Sequence, residues 1–189
     1  MVKRVQLQQP DYNVSHFGNA IDSEINYHID RSGCFTQRFT AKSTKNTSLF
    51  TYKICSKQLI GPNNKVIASI KHRSFFSDKY DIYDGNNIVC GTLTKQRGFI
   101  KPEFTLQMKG DQTLFLILKS RGSVYLHMGG LEGPLVTRYY KQHTGCKPNR
   151  NLQIAANMDV YFAALVCLTV ESIVQTNRSI AFGLPYRLY

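Results

Sequence analysis

The stretch Val160 to Val174, VYFAALVCLTVESIV, decides the fold of this chain. It is apolar without interruption from Val160 to Leu168, and Asp159 stands immediately before it, where a helix N-cap is expected. A helix on a protein surface is apolar on one side only, so a helix that is apolar all round must be enclosed by protein or by lipid. The stretch therefore predicts a buried helix over residues 159–175.

The length of this segment favours protein over lipid as its surroundings. At about 1.5 Å per residue it spans roughly 22 Å, less than the ~30 Å hydrocarbon core of a bilayer. A transmembrane helix, with Glu171 unpaired near one end, is the weaker interpretation. The stronger one is a helix inside a β-barrel, because a barrel of about a dozen strands is wide enough to need a plug.

The residues before the helix have the pattern of antiparallel hairpins. One hairpin is predicted over residues 57–71, where the turn GPNN joins the runs KQLI and KVIASIK. A second is predicted over residues 80–95, around the turn GNN. Many short, evenly spaced strands favour a sandwich or a closed barrel over α/β layers. Further strands are predicted at residues 103–108, 113–119, 123–128 and 135–142.

These patterns predict a mainly β fold, a closed antiparallel β-barrel of about twelve strands around a buried C-terminal apolar α-helix. The chain has 189 residues, which suits one domain with a full core. We expect residues 1–33 to form a polar N-terminal segment, either loose or holding one strand near Val5 to Gln9. Residues 34–189 then form the barrel, with its central helix at 159–175.

The charge is strongly basic, with 24 Lys and Arg against 12 Asp and Glu and a net charge of +12. The region from Cys34 to Arg150 carries the excess, with 19 basic and 6 acidic residues. A field of this sign attracts an anionic membrane leaflet, a nucleic acid or an acidic protein, and does not distinguish among them. The composition therefore predicts an anionic partner without naming it.

The cysteines and the N-terminus predict a cytoplasmic protein. The five cysteines are widely and irregularly spaced with no C-x-x-C pair, as is typical of reduced thiols inside the cell. The segment MVKRVQLQQPDYN has no apolar core of a signal peptide, and Val2 stands where myristoylation requires glycine. We therefore expect a cytoplasmic location, with peripheral membrane association as an option.

The order of these parts resembles the tubby-like C-terminal superfamily, which includes the tubby domain, the plant LURP-one-related proteins and the phospholipid scramblases. The residues that carry the resemblance are GPNNKVIASIK (Gly61–Lys71), YDIYDGNNIVCGTL (Tyr80–Leu93) and NMDVYFAALVCLTVESIV (Asn157–Val174), within a likeness that covers roughly Leu49 to Gln175. The resemblance implies a twelve-stranded barrel around a buried helix, with no catalytic centre.

The same resemblance implies a place to look for a ligand. In tubby proteins a basic pair shortly after a glycine at the start of a strand binds phosphoinositide head groups. If Gly91 corresponds to that glycine, the paired positions here are the uncharged Thr92 and Thr94. Scramblases add a Pro- and Cys-rich N-terminal region, which this sequence lacks, and a membrane-inserting helix.

Basic residues at strand ends give the candidate site. Residues two apart on a strand point the same way, so Lys71 with Arg73, and Lys95 with Arg97, are pairs that can grip one phosphate group. The alternative is that such cations only discourage edge-to-edge association of strands. The predicted ligand-binding residues are Lys71, Arg73, Lys95, Arg97 and Lys101.

No motif of a known catalytic or metal site occurs in the sequence. We therefore expect a binding protein, not an enzyme, with no cofactor and no metal. The leading hypothesis is recognition of anionic phospholipid head groups, phosphoinositides in particular, at the cytosolic membrane surface. Two alternatives stay open. One is a nucleic-acid or protein adaptor, with aromatics such as Tyr80, Tyr139 and Tyr140 stacking bases beside the basic residues. The other is a scramblase-like lipid-transfer protein.

Overall fold

A computed structural model gives the fold. It describes residues 6–12, 14–18, 21, 23–32, 38–42, 48–74, 77–96, 102–110, 113–120, 122–144 and 147–181. The strands are β1 Ile25–Ser32, β2 Arg38–Lys42, β3 Ser48–Lys53, β4 Gln58–Ile60, β5 Val66–His72, β6 Lys79–Asp84, β7 Val89–Gln96, β8 Glu103–Met108, β9 Leu114–Ser120, β10 Ser123–Met128, β11 Leu135–Thr144 and β12 Lys147–Ile154. One helix follows, α1 Val160–Ala181.

Each strand pairs antiparallel with its neighbours in sequence, and β1 pairs with β12 to close the barrel. The predicted twelve-stranded antiparallel barrel is thereby confirmed. Because the strands alternate in direction, the odd-numbered strands all end at one rim, which we call the upper rim. The even-numbered strands end at the lower rim, where α1 begins after β12.

The core lies between α1 and the inner wall of the barrel. Phe162, Leu165 and Leu168 are all 0% exposed, which confirms that the apolar stretch is enclosed by protein. The hydroxyl groups of Tyr52 on β3 and Thr169 on α1 lie 2.9 Å apart and satisfy each other inside the barrel. In the described part of the chain, no helix is both long enough and apolar enough to span a bilayer.

Asp159 caps α1 as predicted. Its Oδ1 accepts hydrogen bonds from the backbone N–H groups of Tyr161 and Phe162, at 2.9 and 3.1 Å. The helix continues past the predicted end at Gln175 to Ala181. The reason is that the end of an apolar run is not a stop signal, whereas Gly183 and Pro185 come only after Ala181.

The described residues before β1 pack on the lower rim, and the barrel begins at Ile25, earlier than residue 34. The boundary expected there falls after β1, which lies in the wall between β12 and β2. Upstream of β1, Leu7 and Val14 are buried, and the Phe17 N–H donates to Asp159 Oδ2 at 2.6 Å. Of the strand expected near residues 5–9, residues 6–9 are described and lie outside any strand.

Candidate functional site

A groove of about 450 Å³ crosses the outer wall of the barrel over β6, β7, β8 and β9. Inward-facing and outward-facing residues alternate along these strands, so the outward side chains of neighbouring strands form its floor. Its lining residues are Arg73, Lys79, Val89, Gly91, Thr92, Thr94, Thr105, Gln107, Met108, Lys109 and Leu114. Thr92 and Thr94, the positions singled out by the tubby-like resemblance, are thus both part of this groove.

The groove combines cations with neutral hydrogen-bonding groups. Lys79, Thr94 and Thr105 lie opposite one another on β6, β7 and β8, and Thr92 lies opposite Gln107. Hydroxyl and amide groups both donate and accept, while the ammonium and guanidinium groups only donate. The groove therefore suits a ligand with anionic oxygens, which accept from the cations, and with hydroxyl groups, which exchange hydrogen bonds with the Thr and Gln side chains.

Arg73 is held at the groove by Asp81. Its Nε lies 3.1 Å from each Asp81 carboxylate oxygen, and its guanidinium also donates to Thr92 Oγ1 at 3.3 Å. The hydrogen bond from Arg73 holds the pKa of the Asp81 carboxyl below its usual value. Asp81 therefore fixes the guanidinium in place and offsets its charge.

The predicted partner of Arg73, Lys71, faces the same side of the sheet but contacts other groups. Its Nζ donates to Asn87 Oδ1 at 2.9 Å and lies 4.5 Å from the centre of the Tyr83 ring. The two side chains are therefore on one outer face, as strand periodicity predicts, while their charged ends have separate partners.

Lys95 belongs to a different surface. It follows buried Leu93 by two residues on β7 and lies opposite Phe104, which is 0% exposed. It is thus in the inward row of the barrel, at the upper rim, and away from the outer face of Lys71 and Arg73. The remaining predicted residues, Arg97 and Lys101, lie outside the described residues.

The lower end of the groove has an apolar lip. Val89 and Leu114 line the groove and are 38% and 42% exposed, and Ile88 in the adjacent β6–β7 turn is 61% exposed. Asp84 fixes that turn, because its Oδ1 accepts hydrogen bonds from the backbone N–H groups of Asn86 and Ile88. Ile88 is therefore held outward by a defined turn.

Gly91, in the barrel wall beneath the groove, leaves room for the side chain of Met108. A Cβ at this position would lie 2.6 Å from Met108 Sδ and 3.0 Å from the backbone oxygen of Gln107. We expect Gly91→Ala to lower the free energy of unfolding by roughly 1–3 kcal/mol, as for other overpacked cores. Urea unfolding measures this. Met108→Ala should relieve part of the added cost, and a fully additive loss in the double variant would contradict this account.

A second basic cluster lies inside the barrel at the upper rim. We call it the inner basic ring: Arg31 on β1, Lys119 on β9, Lys141 on β11 and Arg150 on β12, around Glu171 of α1. Lys119 Nζ lies 2.5 Å from Glu171 Oε2, and Lys141 Nζ contacts Oε1. Glu171 and Lys119 are 1% and 6% exposed, so this ion pair is inside the protein.

Charges within the ring act on one another. Burial alone would raise the pKa of Glu171, but Lys141 and Lys119 outweigh it and hold that pKa below its usual value. Burial lowers the pKa of Lys141 despite the adjacent carboxylate, and Arg150 and Lys119 lower it further. The ring is therefore more positive than its single carboxylate compensates.

Sequence reasoning missed the inner basic ring, although a signal for it exists. On β1 the inward residues Tyr27 and Ile29 are followed two positions later by Arg31, and on β9 Phe115 and Ile117 are followed in the same way by Lys119. An alternating apolar row that ends in a cation indicates a charged residue on the inner face at the end of a barrel strand.

Two of the three aromatic residues proposed for base stacking, Tyr80 and Tyr139, belong to the core. Tyr139 is 0% exposed and Tyr80 is 9% exposed, so neither presents a ring to solvent. Tyr140 lies 4.4 Å from the Arg138 guanidinium, measured to its ring centre. Among the described residues, no group of three or more His, Cys, Asp or Glu side chains could hold a metal ion.

Comparison with known proteins gives one structural likeness. No family model matches the sequence, and no curated protein matches it. Among solved structures, the chain is similar to the X-ray structure of a protein from Arabidopsis thaliana, with 15% sequence identity and a TM-score of 0.41. The match covers 85% of this chain and 98% of that one.

Proposed function

We propose that this protein is a non-enzymatic binding protein of the tubby-like superfamily that recognises anionic phospholipid head groups, phosphoinositides in particular, at the cytosolic surface of a membrane. Support for the kinship comes from the closed twelve-stranded barrel around an apolar helix, together with the hairpin sequences Gly61–Lys71 and Tyr80–Leu93. Shape alone does not define function, so the binding proposal depends on the groove.

The observation that carries the proposal is the pairing of a polar, cationic groove with an apolar lip. Lys79 and Lys109 supply ammonium groups for phosphate, while Thr92 and Thr94 supply hydroxyl groups for sugar or phosphate oxygens. At the lower end, exposed Ile88 is placed to enter the boundary between head groups and acyl chains. A lipid presents the same sequence of parts, a charged head group followed by hydrocarbon.

The long-range field favours the same partner. A net charge of +12 draws the protein to an anionic leaflet, and each basic residue near the surface contributes about 1 kcal/mol to the attraction. General attraction of this kind is screened by salt. Recognition of one head group in the groove is therefore expected to persist at physiological salt, where unspecific binding fades.

Vesicle flotation at physiological salt tests the proposal. We expect the full chain to float with phosphatidylcholine vesicles that contain phosphatidylinositol bisphosphate, and to float much less with vesicles whose equal charge comes from phosphatidylserine. Replacing Lys79 and Lys109 with glutamine should weaken binding about tenfold or more, since two charge-assisted contacts are lost.

The matched control is Arg38→Gln. Arg38 is an exposed cation on β2, six strands from β8, and its replacement removes one positive charge from the opposite side of the barrel, as each single lysine replacement does in the groove. It should leave phosphoinositide binding nearly unchanged. Equal binding to both vesicle types, or equal losses in the groove and control variants, would contradict the proposal and leave only unspecific charge attraction.

A further inference from the structure

We propose that the inner basic ring is a binding site for a small phosphate-class dianion, inorganic phosphate or a soluble phosphate monoester, and that this site is separate from the groove on the outer wall. The inference does not depend on the proposed lipid function, because the two sites use different residues and different faces of the wall.

The first step of the argument is the charge balance. Lys119 and Lys141 contact Glu171, and Arg150 lies directly opposite Lys141. Leaving Arg31 aside, these three cations and one carboxylate have a formal excess of two positive charges. In the sequence, the connections that flank these strands, residues 33–37, 121 and 145–146, contain no Asp or Glu. Among the described residues, Glu171 is the carboxylate paired with these lysines, and a bound anion would supply the remaining compensating charge.

The second step is the strand register. Lys141 on β11 lies directly opposite Arg150 on β12, and both belong to the inward rows that contain buried Tyr139 and Leu152. Like charges directly opposite each other destabilise a sheet, and more so where water is partly excluded. An anion between the two cations converts this repulsion into attraction.

The third step is the supply of donors. The buried Arg150 Nε has no hydrogen-bond partner among the described residues. Arginine presents a planar fork of N–H groups that matches phosphate oxygens, and lysine adds a compact charge beside it. Burial lowers the pKa of Arg31, on the neighbouring strand β1, and the charge of Arg150 lowers it further. The Arg150 fork beside the Lys141 charge suits the oxygens of a phosphate dianion.

The fourth step is access. Lys141 is 20% exposed, and Arg31 and Arg150 are half-buried, whereas Lys119 is 6% exposed. Lys119, the deepest cation, and the partly exposed Lys141 are both paired with Glu171, while Arg31 and Arg150 are the partly exposed guanidinium groups of the ring. A small ion reaches them from the upper rim, while a head group anchored in a bilayer reaches the outer wall.

The test compares thermal unfolding of the full chain in sodium phosphate and in sodium chloride at equal pH and ionic strength. We expect the wild-type midpoint to rise with phosphate concentration beyond its value in chloride, since a ligand that binds the folded state stabilises it. Arg150→Gln should weaken the apparent affinity for phosphate at least about tenfold. Arg38→Gln, an exposed arginine on the outer face, is the control and should respond as the wild type does.

A purely structural role for Arg150 gives a different pattern. In chloride we expect Arg150→Gln to unfold at the same midpoint as the wild type or above it, because it removes the repulsion from Lys141. A structural role predicts a lower midpoint for the variant in both salts, with an equal phosphate response, and that result would overturn the proposal. Lys141→Gln provides the same comparison should Arg150→Gln fail to fold.

Vesicles distinguish a soluble phosphate from a lipid head group. We expect Arg150→Gln to bind vesicles containing phosphatidylinositol bisphosphate as tightly as the wild type. Loss of vesicle binding in this variant, with no stabilisation of the wild type by inorganic phosphate, would overturn the proposal and assign the ring to lipid. The lipid-binding proposal for the outer groove fails by a different result, namely unchanged phosphoinositide binding when Lys79 and Lys109 are replaced.

Discussion

Replacing Glu171 with glutamine is expected to lower the free energy of unfolding by about 3–5 kcal/mol, because Lys119 and Lys141 are left inside the barrel without a compensating charge. Glutamine keeps the size of the side chain and removes only its charge. Urea unfolding measures the effect. Glu132 is exposed, and Glu132→Gln is the control, expected to change the free energy of unfolding by no more than about 0.5 kcal/mol.

The pH dependence gives a second measure of the same interaction. The pKa of Glu171 is lowered in the folded state, so its contribution to stability is present above the ordinary glutamate pKa of about 4.3 and is lost as the pH falls through the folded value. The difference between wild type and Glu171→Gln should therefore shrink in acid. A difference that stays constant from neutral pH to below the folded pKa would contradict the assignment.

A rescue variant separates charge from packing at this position. Replacing Glu171 with leucine and both Lys119 and Lys141 with methionine removes the carboxylate together with the two lysines that contact it, and fills the space with apolar groups. Such replacements are often neutral or stabilising, so the triple variant should recover much of the loss in Glu171→Gln. A triple variant less stable than Glu171→Gln would show that the three groups contribute more than mutual neutralisation.

Phe162→Ala is expected to lower the free energy of unfolding by about 3–5 kcal/mol, the usual cost of removing a buried aromatic ring from a core. Phe162 is 0% exposed, its ring centre lies 5.1 Å from that of Phe115 on β9, and it also contacts His16 at 4.6 Å. It thereby joins the helix, the wall and the N-terminal segment. Chemical denaturation followed by circular dichroism measures the loss.

A neighbouring residue on the same helix provides the comparison for Phe162. Tyr161 is only partly buried, so Tyr161→Ala removes an aromatic ring of similar size from a position that water already reaches. It should cost clearly less than Phe162→Ala. Equal costs for the two variants would contradict an enclosed helix and with it the architecture.

The architecture was predictable from the sequence because it depends on local patterns. The unbroken apolar run from Val160 to Leu168 requires a helix enclosed on every side, and the G-N-N type turns before it require hairpins. The wall predicted at residues 57–71 and 80–95 is confirmed as β4 to β7. The strand β1 was not assigned to the barrel, because Ile25–Ser32 contains only three apolar residues, Ile25, Tyr27 and Ile29, and follows a largely polar segment.

The candidate site was predictable only in part. Strand periodicity correctly predicted that Lys71 and Arg73 point to the same face of the sheet. It could not predict that Arg73 pairs with Asp81, because Asp81 lies on the next strand and the strand register brings the two together. For Lys95, the alternation of side chains along a strand does not say whether the residue faces the inside or the outside of the barrel. Its position opposite the buried Phe104 on β8 shows that it faces inward.

By itself the sequence determined that about twelve short strands surround an apolar helix capped by Asp159, and that the protein is strongly basic. These properties reside in residues close together along the chain, where periodicity and capping act. Only the tertiary structure decided which cations meet. Closing the barrel places Lys119, Lys141 and Arg150 around Glu171 and puts Lys79 and Lys109 in a separate groove, because register and closure join residues that are distant in sequence.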